Sequence, residues 1–183
     1  NMIFFVMPTQ ISFFLASRGH ASPVMTGAIL GVLMVSGGCL ALLYPRIQRG
    51  SGYGGVFLLG YGAMALGFLL LPLAGATWLL FLAAAAIGAG YALVSPSFVA
   101  LALNLAPRAA RGLAGGILTS SIFIGQFCSP LISTPLIAAH GYPGLFQGTA
   151  GLLASMAAIA ALASAAAWLR RRTGAEPARS PCA

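Results

Sequence analysis

The amino-acid sequence predicts an all-α, polytopic membrane protein with six transmembrane helices. Three observations predict this class: 60% of the 183 residues are hydrophobic, only 5% are charged, and the charges stand between long apolar runs. A soluble domain carries about 25% charged residues. Because this chain has too few polar groups to cover a surface in water, we expect lipid to surround most of it.

Charges and turn residues divide the chain into six apolar segments, and a helix that crosses a bilayer needs roughly 20 apolar residues. None of the six contains Arg, Asp or Glu. The predicted spans are residues 1–16, 23–44, 53–73, 77–101, 113–137 and 143–169, followed by a tail at 173–183 that we expect to be cytoplasmic and disordered. The first segment is short for a full span and starts at Asn1, so we expect further residues upstream.

The arginines alternate between connectors. The stretch "LAPRAARGLAGG" at residues 105–116 places two arginines between two apolar segments with no acid beside them. The connectors after the second, fourth and sixth spans hold eight of the nine arginines, and Arg18 is alone on the opposite side. Short cytoplasmic loops are the arginine-rich ones, so we expect both ends of the chain in the cytoplasm. The arginines that we expect to set this topology are Arg46, Arg49, Arg108, Arg111, Arg170, Arg171 and Arg172.

Small residues recur at spacings that let transmembrane helices approach closely. In lipid, close backbone contact and interhelical hydrogen bonds drive packing, because apolar burial is already satisfied. We therefore expect packing seams or hinges at glycines and at one proline that removes a helix hydrogen bond. These positions are Gly27 and Gly31 in the second span, Gly88 and Gly90 in the fourth, and Gly112, Gly116 and Pro130 around the fifth.

Polar side chains collect in the first, fourth and fifth spans. An amide such as Gln10 or Gln126 is costly in hydrocarbon if unpaired, so each must face another helix or a water-filled cavity; the residues leave both alternatives open. The residues that we expect to line a substrate cavity are Thr9, Gln10, Phe13, Tyr91, Ser95, Gln126 and Ser129. The third and sixth spans have the fewest polar groups and look least suited to line a polar pathway.

Several classes of function fit this sequence poorly. There is no C-x-x-C motif and no cluster of metal-ligating residues, so we expect neither a metal nor a cofactor. No G-x-S-x-G motif, acid pair or intramembrane His is present, which argues against an intramembrane enzyme. Arginines scattered singly between apolar runs do not form the solvated basic face that binds nucleic acid.

The pattern resembles the C-terminal six-helix half of a major facilitator superfamily transporter. The resemblance rests on "FFVMPTQISFFLASRG" at 4–19, "LLYPRIQRGSG" at 42–52, "APRAARGLAGGILTSSIFIGQFCSPL" at 106–131 and "HGYPGLFQGTAGLL" at 140–153. These resemble, in order, the seventh helix, the loop between helices eight and nine, the eleventh helix with its preceding loop, and the start of the twelfth. The basic loop lacks the acidic residue of the superfamily's first-half version.

The resemblance implies a 12-helix carrier whose N-terminal half is absent from this sequence. Substrate would bind near the bilayer midplane and move by alternating access. The first, second, fourth and fifth spans would line the cavity, while the third and sixth would face lipid. Because the spans are uncharged, we expect a small neutral or partly apolar solute, exported across a bacterial inner membrane. The alternative is a self-contained six-helix carrier or a structural membrane subunit.

Overall fold

The computed structural model describes residues 2–19 and 22–172, with side chains as far as Ala166. The elements are α1 (Met2–Ser17), α2 (Pro23–Leu73), α3 (Thr77–Leu105), a 3-10 turn (Arg108–Ala110) and α4 (Arg111–Arg172). Within these residues there is no strand, so the predicted all-α class is confirmed. The predicted tail at 173–183 lies outside the described residues, as do Asn1 and the side chains of Arg170, Arg171 and Arg172.

Two glycines break the long helices. Gly52 in α2 has φ 63° and ψ −178°, and Gly141 in α4 has φ 68° and ψ 178°. This region of the backbone map is essentially restricted to glycine, so each break depends on the absence of a side chain. We call the arms of α2 α2a (residues 23–51) and α2b (53–73), and those of α4 α4a (111–140) and α4b (142–172).

Helices α2, α3 and α4 are each long and apolar enough, by length and composition, to cross a membrane. Helix α1 has 16 residues and falls among the shorter apolar helices. Several helices extend past the predicted spans: α2a continues through Arg46 and Arg49 to residue 51, and α3 continues to Leu105. A helix satisfies its own backbone hydrogen bonds in water as in lipid. The end of an apolar run in the sequence therefore shows where the hydrophobic span ends, but it does not show where the helix ends.

Helix α3 lies between the two arms of α2. A methyl group on Gly37 of α2a would lie 3.2 Å from the carbonyl oxygen of Gly88. On the opposite side, a methyl group on Gly60 of α2b would lie 2.9 Å from the carbonyl oxygen of Gly90. The next contact along α2a joins Tyr44 to Ser97, so α2a and α3 run parallel. Along α2b, Phe57 meets Phe98 before Gly60 meets Gly90, so α2b runs antiparallel to α3. The two arms of α2 are therefore antiparallel and form a helical hairpin.

Helix α1 packs on both arms of α4. Gln10 is bonded to Ser133 of α4a, and the Phe14 ring meets Phe146 of α4b edge-on at 5.1 Å. Phe68 of α2b approaches the same Phe146 ring at 6.2 Å. Phe14, Phe68 and Phe146 belong to a continuous apolar core of buried side chains.

The two ends of the bundle differ in charge. Phe57 of α2b meets Phe98 of α3, and Gly54 lies against Ser164 of α4b. The Gly52 break, the end of α3 and the last turns of α4 therefore share one end, which we call the arginine-rich end. Its exposed arginines are Arg46, Arg49, Arg108 and Arg111, and the backbone of Arg170, Arg171 and Arg172 follows Ser164 toward it.

Arg18 lies at the opposite end, where it has local partners. Its guanidinium donates hydrogen bonds to the carbonyl oxygens of Pro72, at 2.9 Å, and of Ala74. It also stands 4.6 Å above the Phe14 ring. A cation at the C-terminus of a helix is stabilised by the partial negative charge of the unpaired carbonyls. Arg18 thus caps α2 and joins its end to the end of α1.

Candidate functional site

A cavity of about 410 Å³ lies between α1, α2b, α3 and both arms of α4. This volume falls in the range of small-molecule sites, which are mostly apolar with a few polar groups. None of the residues that line it is charged, and its hydroxyl groups come from two tyrosines and two serines. The lining residues are Met2, Ile3, Phe4, Tyr61, Met64, Tyr91, Val94, Ser95, Phe98, Val99, Leu118, Ser121, Ile122, Gly125, Leu153 and Met156.

Two of the residues predicted to line a cavity, Tyr91 and Ser95, do line this one. They lie one helical turn apart on α3, so both point to the same side of the helix. The Tyr91 ring stacks on Phe4 of α1 with centroids 3.8 Å apart and planes at 12°. This contact fixes the wall of the cavity where α1 and α3 meet.

The amide of Gln10 is part of an interhelical hydrogen bond. Its side chain is only 5% exposed, and its Nε2 donates to the Ser133 hydroxyl oxygen at 2.7 Å. Both alternatives were open from the sequence, and in this structure the amide faces a helix. The bond joins α1 to α4a and offsets part of the cost of burying an amide among apolar side chains.

The remaining predicted lining residues are scattered. Thr9 donates its hydroxyl to the Phe5 carbonyl of its own helix at 2.7 Å, and Phe13 is 63% exposed on the outer side of α1. On α4a, Gln126 is half-buried, and among the described residues it has no hydrogen-bond partner. Ser129 is 1% exposed, and its hydroxyl has no hydrogen-bond partner within the described part of the chain. The structure therefore does not bring these four side chains into one site.

The third and sixth predicted spans also contribute to the cavity, a role that we expected of the first, second, fourth and fifth spans. Tyr61 and Met64 come from α2b, and Leu153 and Met156 come from α4b. The reason is the packing order: α3 lies between the arms of α2 and separates α2a from this cavity. In the third span, only Tyr61 and Met64, one turn apart, could have indicated a cavity-lining face. Both indications are weak, because either residue is common in an apolar core.

The predicted glycine seams divide into two groups. Gly88 and Gly90 lie at backbone contacts, where a methyl group would meet the Leu33 and Gly60 carbonyl oxygens. A methyl group on Gly27, Gly31, Gly112 or Gly116 would meet no atom within 4 Å, so these four glycines are at no helix contact among the described residues. Pro130 keeps helical backbone angles, and the break in α4 lies at Gly141 instead.

The hydroxyl groups of the cavity can donate and accept hydrogen bonds. Among residues 2–19 and 22–172, no three His, Cys, Asp or Glu side chains come together in a way that could hold a metal ion. The arrangement of the cavity suits reversible binding of a small molecule whose surface is largely apolar.

Comparisons with known proteins agree with this description. The family model of the Major Facilitator Superfamily matches residues 1–181. Three proteins of Pseudomonas aeruginosa, from strains LESB58, UCBPP-PA14 and PAO1, are each described as an uncharacterized MFS-type transporter and are each 33% identical to this chain over 172 residues. The match covers 92% of this chain and 40% of each relative, so the chain spans less than half the length of these relatives. No solved structure matches the chain. An apolar helical bundle with an uncharged cavity, together with a family match over nearly its whole length, shows that this chain is an integral membrane protein of the major facilitator superfamily.

Proposed function

We propose that the chain is the C-terminal six-helix half of a secondary transporter of 12 helices. Its six spans are α1, α2a, α2b, α3, α4a and α4b, in place of the ranges 1–16, 23–44, 53–73, 77–101, 113–137 and 143–169. The breaks at Gly52 and Gly141 support this organisation because each falls between two predicted spans. The 40% coverage of the relatives also supports it, since a half would cover a similar share.

The second part of the proposal is the orientation. We place the arginine-rich end in the cytoplasm of a bacterium, so that both ends of this segment lie on the inner side of the cytoplasmic membrane. The clustering of Arg46, Arg49, Arg108 and Arg111 at one end supports this, because arginine is retained on the cytoplasmic side. Anionic headgroups would attract the same side chains there.

The proposed activity is transport of a small neutral or partly apolar solute, as an exporter, by alternating access. The observation that carries it is the uncharged cavity of about 410 Å³. A strongly charged solute would find no counter-ion among the lining residues, and an unpaired charge within the membrane has a high free-energy cost. No cofactor and no enzymatic step belong to this proposal.

The proposed partners are the lipid bilayer, the solute and the N-terminal half of the same polypeptide; nucleic acid is not among them. The outer faces of α1 and α4a support docking of that half. Phe13, Phe123 and Phe127 are 63%, 63% and 72% exposed, respectively. The alternative, a self-contained six-helix carrier or structural subunit, leaves these rings to lipid. Reading the genomic DNA upstream of Asn1 distinguishes the two, since only the carrier needs six further apolar segments in frame.

The test of the activity is accumulation of dyes that differ in charge. Cells that overexpress the protein as its gene encodes it are loaded with Nile red, which is neutral, ethidium, which is cationic, or fluorescein, which is anionic. We expect a lower steady-state level of Nile red than in vector controls and little change for the two ions. Export of the ions alone would refute the proposed substrate class.

A further inference from the structure

Helices α1 and α4a run side by side in parallel with a constant register. Met2 lies beside Gly125, where a methyl group on Gly125 would stand 3.3 Å from the Met2 nitrogen. Gln10 is bonded to Ser133, and both pairs are separated by the same 123 positions in the sequence. The constant offset places Val6 level with Ser129, one helical turn from each of the two contacts.

Ser129 is an orphan within this seam. Its hydroxyl oxygen is inaccessible and has no hydrogen-bond partner among residues 2–19 and 22–172, and the register puts the side chain level with the apolar Val6. Other buried hydroxyls in the described chain behave differently. Those of Ser97 and Thr149 donate to carbonyl oxygens of their own helices, at 2.9 and 2.7 Å. A buried hydroxyl that has lost its hydrogen bonds to water and gained none in the protein is destabilising, so the closed seam is less stable at this level than a fully paired one would be.

Helices α1 and α4a each contain a proline close to the level of the unpaired Ser129 hydroxyl. Pro8 lies within α1 two residues after Val6, and Pro130 follows Ser129 within α4. A proline removes one hydrogen bond from the helix ladder and allows it to bend. The two helices therefore each lack a backbone hydrogen bond close to the same height in the bundle.

The uncharged cavity begins one turn away from Ser129. Met2 and Gly125, which form the neighbouring contact of the seam, both line it. Four residues along a helix correspond to about 6 Å. Separation of Val6 from Ser129 would therefore extend the cavity to the Ser129 hydroxyl and give it a polar end.

We propose that the α1–α4a seam opens at the Val6–Ser129 level and that the Ser129 hydroxyl then binds an oxygen atom of a small neutral solute. The inference rests on the proposed transport function and adds to it a specific hydrogen-bonding group. The Gln10–Ser133 bond holds the seam closed on the far side. Opening exchanges an unpaired hydroxyl for one bonded to the ligand.

Thiol labelling tests the opening directly. In the protein as its gene encodes it, every cysteine, including Cys39, Cys128 and Cys182, is first replaced by Ala. S129C is then compared in native membranes with S97C, a matched control. Ser97 is also fully buried between helices, at 0% exposed, and its hydroxyl is paired. The probe is N-ethylmaleimide, itself a small neutral molecule with carbonyl oxygens.

We expect S129C to react at least tenfold faster than S97C, because static burial is the same for both. V6C reads the opening from the other helix and should react as S129C does, which keeps the test decisive if S129C fails to fold. Equal protection of S129C, V6C and S97C would overturn the proposal. The cationic reagent MTSET and the anionic reagent MTSES should label S129C poorly; rapid labelling by either would contradict a site for neutral ligands.

A second measurement separates this inference from the proposed function. S129A removes the orphan hydroxyl and should raise the thermal midpoint of unfolding, while S97A, which loses a paired hydroxyl, should lower it. A lower midpoint for S129A would refute the orphan assignment. Nile red export with no labelling contrast would leave the transport proposal standing and overturn the seam. A labelling contrast without Nile red export would support the opening of the seam and overturn the transport proposal.

Discussion

Substitution of one glycine between α2b and α3 tests the packing of the bundle. A methyl group on Gly60 would lie 2.6 Å from the Val94 side chain, 2.9 Å from the Gly90 carbonyl oxygen and 3.3 Å from the Leu93 Cβ. The Gly90 oxygen belongs to the backbone and cannot rotate away. G60A must therefore push the two helices apart or distort one of them.

Gly62 is the matched control, two residues further along the same helix. A methyl group there would meet no atom within 4 Å. Overpacking of a dense core costs about 1–3 kcal/mol, whereas Gly to Ala at an unhindered helix position stabilises by about 0.5–1 kcal/mol. The free energy of unfolding of G60A should therefore fall below that of G62A by about 1.5–4 kcal/mol.

The assay is reversible unfolding of the purified protein in mixed micelles by increasing amounts of sodium dodecyl sulfate, followed by circular dichroism. Both variants keep the same hydrophobic content, so a difference in their midpoints reports the helix contact. If G60A and G62A unfold together, α2b does not approach α3 at Gly60 and the packing described above is wrong.

Three further predictions concern contacts at the ends and the centre of the bundle. R18Q should lower the free energy of unfolding by about 1 kcal/mol, because it weakens a helix cap and a cation–π contact; unchanged micelle unfolding would contradict the cap. For Gln10 and Ser133, the double-mutant cycle of Q10L and S133A should give a coupling of about 0.6 kcal/mol and at most about 1.7, and purely additive effects would exclude the bond. Y44F should cost about 1 kcal/mol, because the Tyr44 and Ser97 hydroxyls are 3.0 Å apart; a thermal midpoint no lower than the parent's would refute that contact.

Much of the class of this protein could be read from the residues alone. The apolar composition and the placement of the arginines predicted an all-helical membrane protein, and the motifs around Arg108 and Pro130 predicted the superfamily; the helical fold and the family are confirmed. Of the residues predicted to line a substrate cavity, Tyr91 and Ser95 lie on the cavity of this structure, and both come from the fourth span, where polar side chains collect. Tyr61 and Met64 were missed, since nothing in a sequence says which side of an apolar helix meets a cavity.

The fate of each glycine and each amide was also beyond the sequence. Gly31 and Gly88 were both predicted to lie at a packing seam or hinge, yet one faces open space and the other a backbone carbonyl. Gln10 and Gln126 both required a partner, yet a hydrogen bond to a described residue formed only at Gln10. Spacing along one helix places residues on a face, but the neighbour of that face is chosen by another helix.

The linear chain by itself determined that lipid surrounds most of the protein, that its fold is helical and that its arginines are grouped between apolar spans. Each follows from the cost of placing a polar or charged group in hydrocarbon. Only the tertiary structure decided that α3 packs between the arms of α2, that five helices or arms enclose the cavity, and that Ser129 is level with Val6. These outcomes depend on contacts between helices, and in lipid such contacts are chosen by close packing and a few hydrogen bonds. Their free energies depend on three-dimensional fit, which a one-dimensional pattern of apolar residues does not encode.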